Sequence, residues 1–291
     1  MIQMLYSLRT TIIVIGKAFL TCLFTLTVFT SSASDWKLVW ADEFDKPGLP
    51  DPAKWSYETG FVRNREMQYY TDSRLENARV ENGYLVIEAQ KERFKNPAFN
   101  PAADPQDWMH SREFAIYTSA SLTTQEHFNF KYGRIEVRAK LPAGRGVWPA
   151  IWMLGTNITS VSWPRCGEID IMEMVGFEPD MIYGHIHTFE SITKQNIKDG
   201  TGIEVPGASD DFHVYAIEWD ASQISFFADN KKYYTYQNPK TDGASWPFDR
   251  DQYLILNLAI GGAWGGTKGI DDTIFPQRFY IDYVRIYQRE P

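Results

Sequence analysis

The sequence predicts an all-β domain, a β-sandwich or jelly roll. Three observations predict it. Apolar and polar residues alternate with a period of two in several segments. Asn, Asp, Gly and Pro bound many of those segments. No stretch sustains the period of an amphipathic helix. Residues 133–141 alternate strictly, so Ile135, Val137, Ala139 and Leu141 share one face and the charged residues take the other. Residues 84–89, 214–219, 224–228 and 280–287 have similar β-rich character. Turn signals stand at residues 81–83, at Asp229 and Asn230, and at residues 141–144. Residues 94–112 hold three prolines and little alternation, which predicts a long loop, functional or covering a sheet edge. There is no Ser/Gly-rich linker and no repeat, so residues 34–291 read as a single domain.

The first 33 residues read differently. They carry Arg9 and Lys17 and no acid, then a thirteen-residue apolar run at 18–30, then Ser31, Ser32 and Ala33. That is the three-part layout of a secretory signal peptide, here residues 1–33. Residues 11–30 are also long enough for an uncleaved anchor, but Lys17 in the middle and the small-residue end favour cleavage. Cleavage predicts a secreted protein, extracellular or periplasmic, with no membrane attachment. A monomer is the default for such a protein.

Composition narrows the classes. With 44% hydrophobic and 15% aromatic residues there is ample material for a core, which excludes a disordered chain. The formal net charge of −8 would become −10 after cleavage, which argues against a nucleic-acid partner. Two cysteines, one of them Cys22 in the leader, make neither a disulfide framework nor a Cys-rich zinc site. The remaining Cys166 is expected to be a buried, inert thiol.

The segment at 163–174 is the most informative. Glu168 and Asp170 point the same way in a regular strand, whereas Glu173, five positions on, would point the opposite way. One β-bulge near Ile171 and Met172 would return Glu173 to the acidic face. Three carboxylates on one face repel one another and raise at least one pKa, a poor device for stability. Glycoside hydrolysis needs such a set: an ionised nucleophile and a protonated acid, with carboxyls roughly 5–5.5 Å apart when configuration is retained. Asp170 would orient the nucleophile or share its proton. A solvated acidic strand would be expected to contain Lys or Thr, and this one has neither. Calcium more often uses a loop with Asp/Asn/Gly spacing.

Residues 167–174 resemble the E-x-D-x-x-E signature of glycoside hydrolase family sixteen in its laminarinase-like form, an endo-β-1,3-glucanase type. Lichenase-type members have the shorter E-x-D-x-E. Matching blocks at 40–45, 132–142, 148–154, 256–262 and 281–287 follow in the right order. The resemblance implies a curved β-jelly-roll sandwich of two antiparallel sheets, with the substrate cleft on the concave face. It implies endo-hydrolysis of a β-glycan with retention. Glu168 resembles the nucleophile, Asp170 the assisting acid and Glu173 the general acid/base.

The resemblance extends to the surroundings. Trp148, Trp152, Trp163 and Trp264 lie in segments matching cleft-lining blocks; Trp148 and Trp152 share strand parity, which fits core or cleft equally. Asn64, Glu66 and Gln68 alternate and resemble a block that makes polar contacts near the scissile bond; an ordinary polar strand face is the other reading. His185 and His187 also share parity, and His187 stands near a family cleft histidine. Catalysis needs no cofactor on this reading. A structural calcium is implied at Glu43 and Asp282, with a carbonyl near Gly83; the alternative is ordinary hydrogen bonding by the two acids.

The implied partner is a β-glucan polysaccharide, either β-1,3-glucan or mixed-linkage β-1,3-1,4-glucan. Agarose, carrageenan or porphyran hydrolysis on the same fold is the alternative substrate reading. A non-catalytic β-glucan-binding protein is the alternative class, although such proteins typically lose a catalytic glutamate and both remain here. One departure stands out: many laminarinases have Arg where this chain has Ser121, which bears on substrate preference.

Overall fold

The computed structural model describes residues 36–194, 199–240 and 244–289. The expected leader at 1–33 lies outside them. Two sheets account for the described strands. The seven-stranded sheet is antiparallel throughout, in the order Gly200–Glu204, Met181–His187, Glu168–Glu173, Val147–Gly155, Gln252–Ile260, Ser121–Thr123, Ser56–Tyr57. The ten-stranded sheet runs Lys231–Gln237, Gln223–Ala228, His213–Trp219, Gly133–Lys140, Gln277–Arg289, Tyr84–Lys95, Phe114–Ser119, Gln68–Tyr70. Trp36–Asp42 also pairs with Gln277–Arg289, and Ala78–Glu81 with Tyr84–Lys95.

All five segments expected as strands are strands. Their turns form as the residues dictate. Asn82 sits at φ 54° between Ala78–Glu81 and Tyr84–Lys95; Asp229 and Asn230 sit at 46° and 64° between Gln223–Ala228 and Lys231–Gln237. Left-handed pairs of this kind match the twist of the strands they join. One pairing departs from the expected pattern: Gln68–Tyr70 lies parallel to Phe114–Ser119. The hairpin from Ala78 and the loop after Lys95 intervene, which gives the chain length enough to cross over.

The alternation at 133–140 fixes the inner face. Ile135, Val137 and Ala139 are fully buried, and they join Ile151, Met153, Ile169, Ile186, Leu254 and Leu256 of the other sheet in one core. The second face of the seven-stranded sheet is not left to water. Ala150, Trp152, Leu154, Tyr253 and Ile255 form a separate buried cluster there with Cys166. Gln252–Ile260 is accordingly buried along its whole length, as a strand covered on both faces must be. That second face is the floor of the cleft.

The predicted long loop follows Lys95 and returns at Phe114. Asn96 Nδ2 donates to the carbonyls of Met109 (2.8 Å) and Arg112 (2.9 Å), which closes the loop. Trp108 and Met109 pack on Phe61, Tyr69 and Ala115, so this loop covers the edge of the ten-stranded sheet.

Candidate active site

The acidic strand Glu168–Glu173 carries the bulge its spacing requires. Asp170 pairs with Trp152 and Met172 with Ile151, so Ile171 is extra on this ladder; on the other side Asp170 pairs with His185 and Glu173 with Tyr183. Ile171 and Met172 both turn into the core. Glu173 thereby rejoins Glu168 and Asp170 on the cleft floor. The cleft holds about 780 Å³ and is walled by Trp148, Trp152, Trp163, Trp264, His185 and His187 among others.

Each carboxyl has its own partners. Trp163 Nε1 donates to Glu168 Oε2 at 2.8 Å. His187 Nε2 lies 3.1 Å from Asp170 Oδ2 and 3.8 Å from Glu168 Oε1. Trp148 Nε1 donates to Glu173 Oε1 at 3.0 Å, and His185 Nδ1 lies 2.9 Å from Glu173 Oε2. Burial, followed by the charge of Asp170, pushes Glu168 well above the usual carboxylate range, while His187 pulls the other way. Burial and then Glu173 push Asp170 up in the same sense. One proton on the Glu168–Asp170 pair relieves both. Asp170 is the more enclosed of the two, its side chain 4% exposed against 17% for Glu168, so Glu168 is the carboxyl that faces the cleft.

Aromatic rings stand on both sides of the acids. Trp163 is half exposed beside Glu168. Beside Glu173, Trp148 meets Trp264 edge to face at 5.7 Å, and Trp264 meets Tyr183 at 5.1 Å. Trp152 belongs to the buried cluster of the cleft floor and also lines the cleft, its Nε1 donating to Asn257 Oδ1 at 2.7 Å. Trp264 owes its place to the glycine-rich turn. Gly262 has φ 76°, and a Cβ there would come within 2.9 Å of Glu66 Cγ, so only glycine brings this turn against the 64–68 segment.

Asn64 and Glu66 line the cleft as expected. Gln68 does not, which corrects the reading of a shared strand face. Only Gln68–Tyr70 is strand, and Asn64 and Arg65 take left-handed φ in the turn before it. Gln68 is buried: its Nε2 donates to Glu66 Oε2 at 2.7 Å and its Oε1 accepts from the Ile260 amide at 2.7 Å. It holds Glu66 rather than sugar.

Sequence reasoning missed Glu58, Arg63 and the contact made by His185. Arg63 lies over the face of Trp152, 4.7 Å from the ring centroid, and pairs with Glu58. Ser121 Oγ donates to the other oxygen of Glu58 at 2.6 Å. Arg63 thus stands in the cleft wall, tied through Glu58 to Ser121. Glu58 and Arg63 are only five residues apart, but Ser121 and Trp152 come from distant segments, so only the departure at Ser121 hinted at this arrangement.

The expected calcium donors are engaged otherwise. Arg285 Nε and Nη2 each donate to the Glu43 carboxylate at 2.8 Å, and Arg138 pairs with Asp282. A guanidinium on each acid leaves no anionic pair for a cation, so the donor set does not fit calcium. Among the described residues, the trios of His or acid side chains with donor atoms within 4.8 Å of one another are Glu168–Asp170–His187 and Asp170–Glu173–His185. Those donors already face one another, and they read as a proton-sharing group.

Comparison with known proteins agrees with this geometry. Residues 65–285 match Glycosyl hydrolases family 16. The chain belongs to glycoside hydrolase family 16. It is 47% identical over 268 residues to a β-glucanase of Rhodothermus marinus, covering 89% of this chain and 87% of that one. The solved laminarinase of Rhodothermus marinus superposes with a TM-score of 0.76 at 46% identity, over 88% of this chain and 98% of that one. A non-specific endo-β-1,3(4)-glucanase crystallised with a β-glucan oligosaccharide gives a TM-score of 0.77 at 43% identity, over 88% and 96% of the two chains.

In this family 16 hydrolase the buried acids work against stability. An unfolded chain releases the Asp170 proton near pH 3.8, whereas the folded chain holds it to higher pH. Stability therefore falls as pH climbs from that ordinary value through the raised one, and the penalty vanishes below the window. Asp170→Asn should raise the Tm at pH 7 by about 2–4 °C for each kcal/mol of penalty removed, with the two melting curves converging near pH 3–4. Thermal unfolding across pH checks this; an offset equal at every pH would contradict it.

Proposed function

We propose that this glycoside hydrolase is an endo-acting, retaining β-glucanase that cleaves β-1,3-glucan or mixed-linkage β-1,3-1,4-glucan. The single observation that carries the reading is the bulge that gathers Glu168, Asp170 and Glu173 on the floor of a cleft with aromatic rings on both sides. Rings on both sides of the acids offer stacking to sugars on either side of the cut bond, as internal cleavage requires. The β-glucanase and laminarinase relatives support the same substrate class.

In the proposed reaction Glu168 attacks the anomeric carbon and the bond to the leaving oxygen breaks. Glu173 gives that oxygen a proton. A glycosyl ester on Glu168 results. Glu173, now a carboxylate, takes a proton from water, whose oxygen attacks the same carbon from the opposite side and releases Glu168. Two inversions retain configuration. For Glu168 to attack as an anion, the one proton of the pair must rest on Asp170 in that step, which spares the nucleophile a second full charge. The leader at 1–33 supports export, and a monomer suffices for this chemistry.

The test is product analysis of the exported chain on laminarin, mixed-linkage glucan, agarose and carrageenan in parallel. Oligosaccharides of several lengths from laminarin, first appearing as the β-anomer by proton NMR, are expected. Products from agarose or carrageenan alone would overturn the substrate. Products first appearing as the α-anomer would overturn the mechanism.

A further inference from the structure

Glu173 must release a proton in one step and accept one in the next. Its two oxygens are both held: Trp148 Nε1 on Oε1 at 3.0 Å, and His185 Nδ1 on Oε2 at 2.9 Å. The two partners differ in kind. An indole N–H only donates, whereas an imidazole nitrogen donates in one protonation state and accepts in another. Trp148 therefore favours the carboxylate at all times. Only His185 can change sides.

The ring of His185 is fixed for this contact. It stands opposite Gly200 on the neighbouring strand Gly200–Glu204, and a Cβ on Gly200 would lie 2.0 Å from the ring's Cδ2. The glycine thus provides the space the imidazole fills. Tyr183 stacks nearly parallel to it, 9° between planes with centroids 5.8 Å apart, and Trp264 meets it edge on at 5.9 Å. The titratable groups around it are Glu173 and Asp170 on strand Glu168–Glu173, Tyr183 and His187 on its own strand, and Asp199 just before Gly200.

We propose that His185 is a positioning residue that shares the catalytic proton with Glu173, so that the pair, rather than the carboxyl alone, holds the proton destined for the leaving oxygen. The inference rests on Glu173 being the acid/base. In the first step the proton between Nδ1 and Oε2 moves to Glu173, which passes it to the glycosidic oxygen. The pair is left with neutral imidazole and carboxylate. In the second step the pair regains a proton from the attacking water. Burial acts to lower the imidazole's pKa, but the Glu173 hydrogen bond and charge, with Asp170 behind, outweigh it and raise it above its usual value. An imidazole held in that way keeps a proton available at a pH where a lone carboxyl has lost it.

The test uses His185→Gln, whose amide retains a donor for Oε2 but does not titrate. The alkaline limb of kcat/KM on laminarin is expected to move down by about one pH unit or more. On an aryl β-glucoside of a laminari-oligosaccharide with a strongly acidic phenol as leaving group, where glycosylation needs little proton donation, the loss in that step should largely disappear. An unchanged pH limb, whatever the change in kcat, would overturn the proposal and leave His185 a packing residue. A second reading needs no activity. With 15N-labelled histidine in the full chain, the His185 titration should lie above the free imidazole value and fall in Glu173→Gln. A His185 titration indifferent to Glu173→Gln would overturn the proposal. Because that titration is independent of turnover, it separates failure of this inference from failure of the glucanase reading.

Discussion

Replacing Glu168 with glycine should abolish laminarin hydrolysis, with a loss on the order of 10⁴-fold or more in kcat, while the folded chain persists. The expectation follows from where the side chain sits. It reaches the cleft from the start of strand Glu168–Glu173, its anion is supported by the Trp163 Nε1 hydrogen bond, and Asp170 stands next to it on the same face. No other carboxyl can take over the attack, because Asp170 is enclosed behind it. The variant leaves a void the size of a small anion. Azide supplied with an activated aryl glycoside is therefore expected to restore turnover by direct attack, with a single inversion, giving an α-glycosyl azide. A β-glycosyl azide would mean that the ester still forms on another residue and that Glu168 is not the nucleophile.

Glu173→Ala should give the complementary pattern. General acid catalysis contributes on the order of 10²–10⁴-fold, so the loss should be large on laminarin and much smaller for glycosylation by aryl substrates with acidic phenols. The ester on Glu168 then accumulates, because no base activates water. Azide needs no base and attacks the ester from the face opposite Glu168, so the expected product is a β-glycosyl azide. An α-azide from this variant and a β-azide from Glu168→Gly would exchange the two roles. The stereochemistry of one small product thus checks both assignments. Trp148 and His185 remain to hold the emptied position open, so the effect is expected on chemistry rather than on folding.

Much of this was readable before any coordinates. Period-two alternation located the strands because burial on one face selects it directly, and Ile135, Val137 and Ala139 are the plain case. The odd spacing between Asp170 and Glu173 called for a bulge, because chemistry needed the third acid on the same face, and the bulge is there. What stayed hidden depends on contacts between segments. Parity placed Gln68 on a common face with Glu66, but the left-handed turn at Asn64 and Arg65 breaks the strand before parity applies. Glu43 and Asp282 are present as expected, yet Arg285 and Arg138 neutralise them across strands, and no local spacing shows which cation an acid will meet. The hydrogen bond from Ser121 to Glu58 escaped for the same reason, because it joins segments 63 residues apart.

The bulge has an evolutionary consequence. Removing one residue at Ile171 or Met172 would convert the E-x-D-x-x-E spacing into E-x-D-x-E, in which plain alternation already puts all three acids on one face. A single-codon loss there is silent to the order of the acids. It is not silent underneath, because both side chains are anchored in the core and one anchor would vanish. The two spacings are then neighbouring solutions separated by one indel, and the passage between them is governed by how well the core beneath the acids can be refilled.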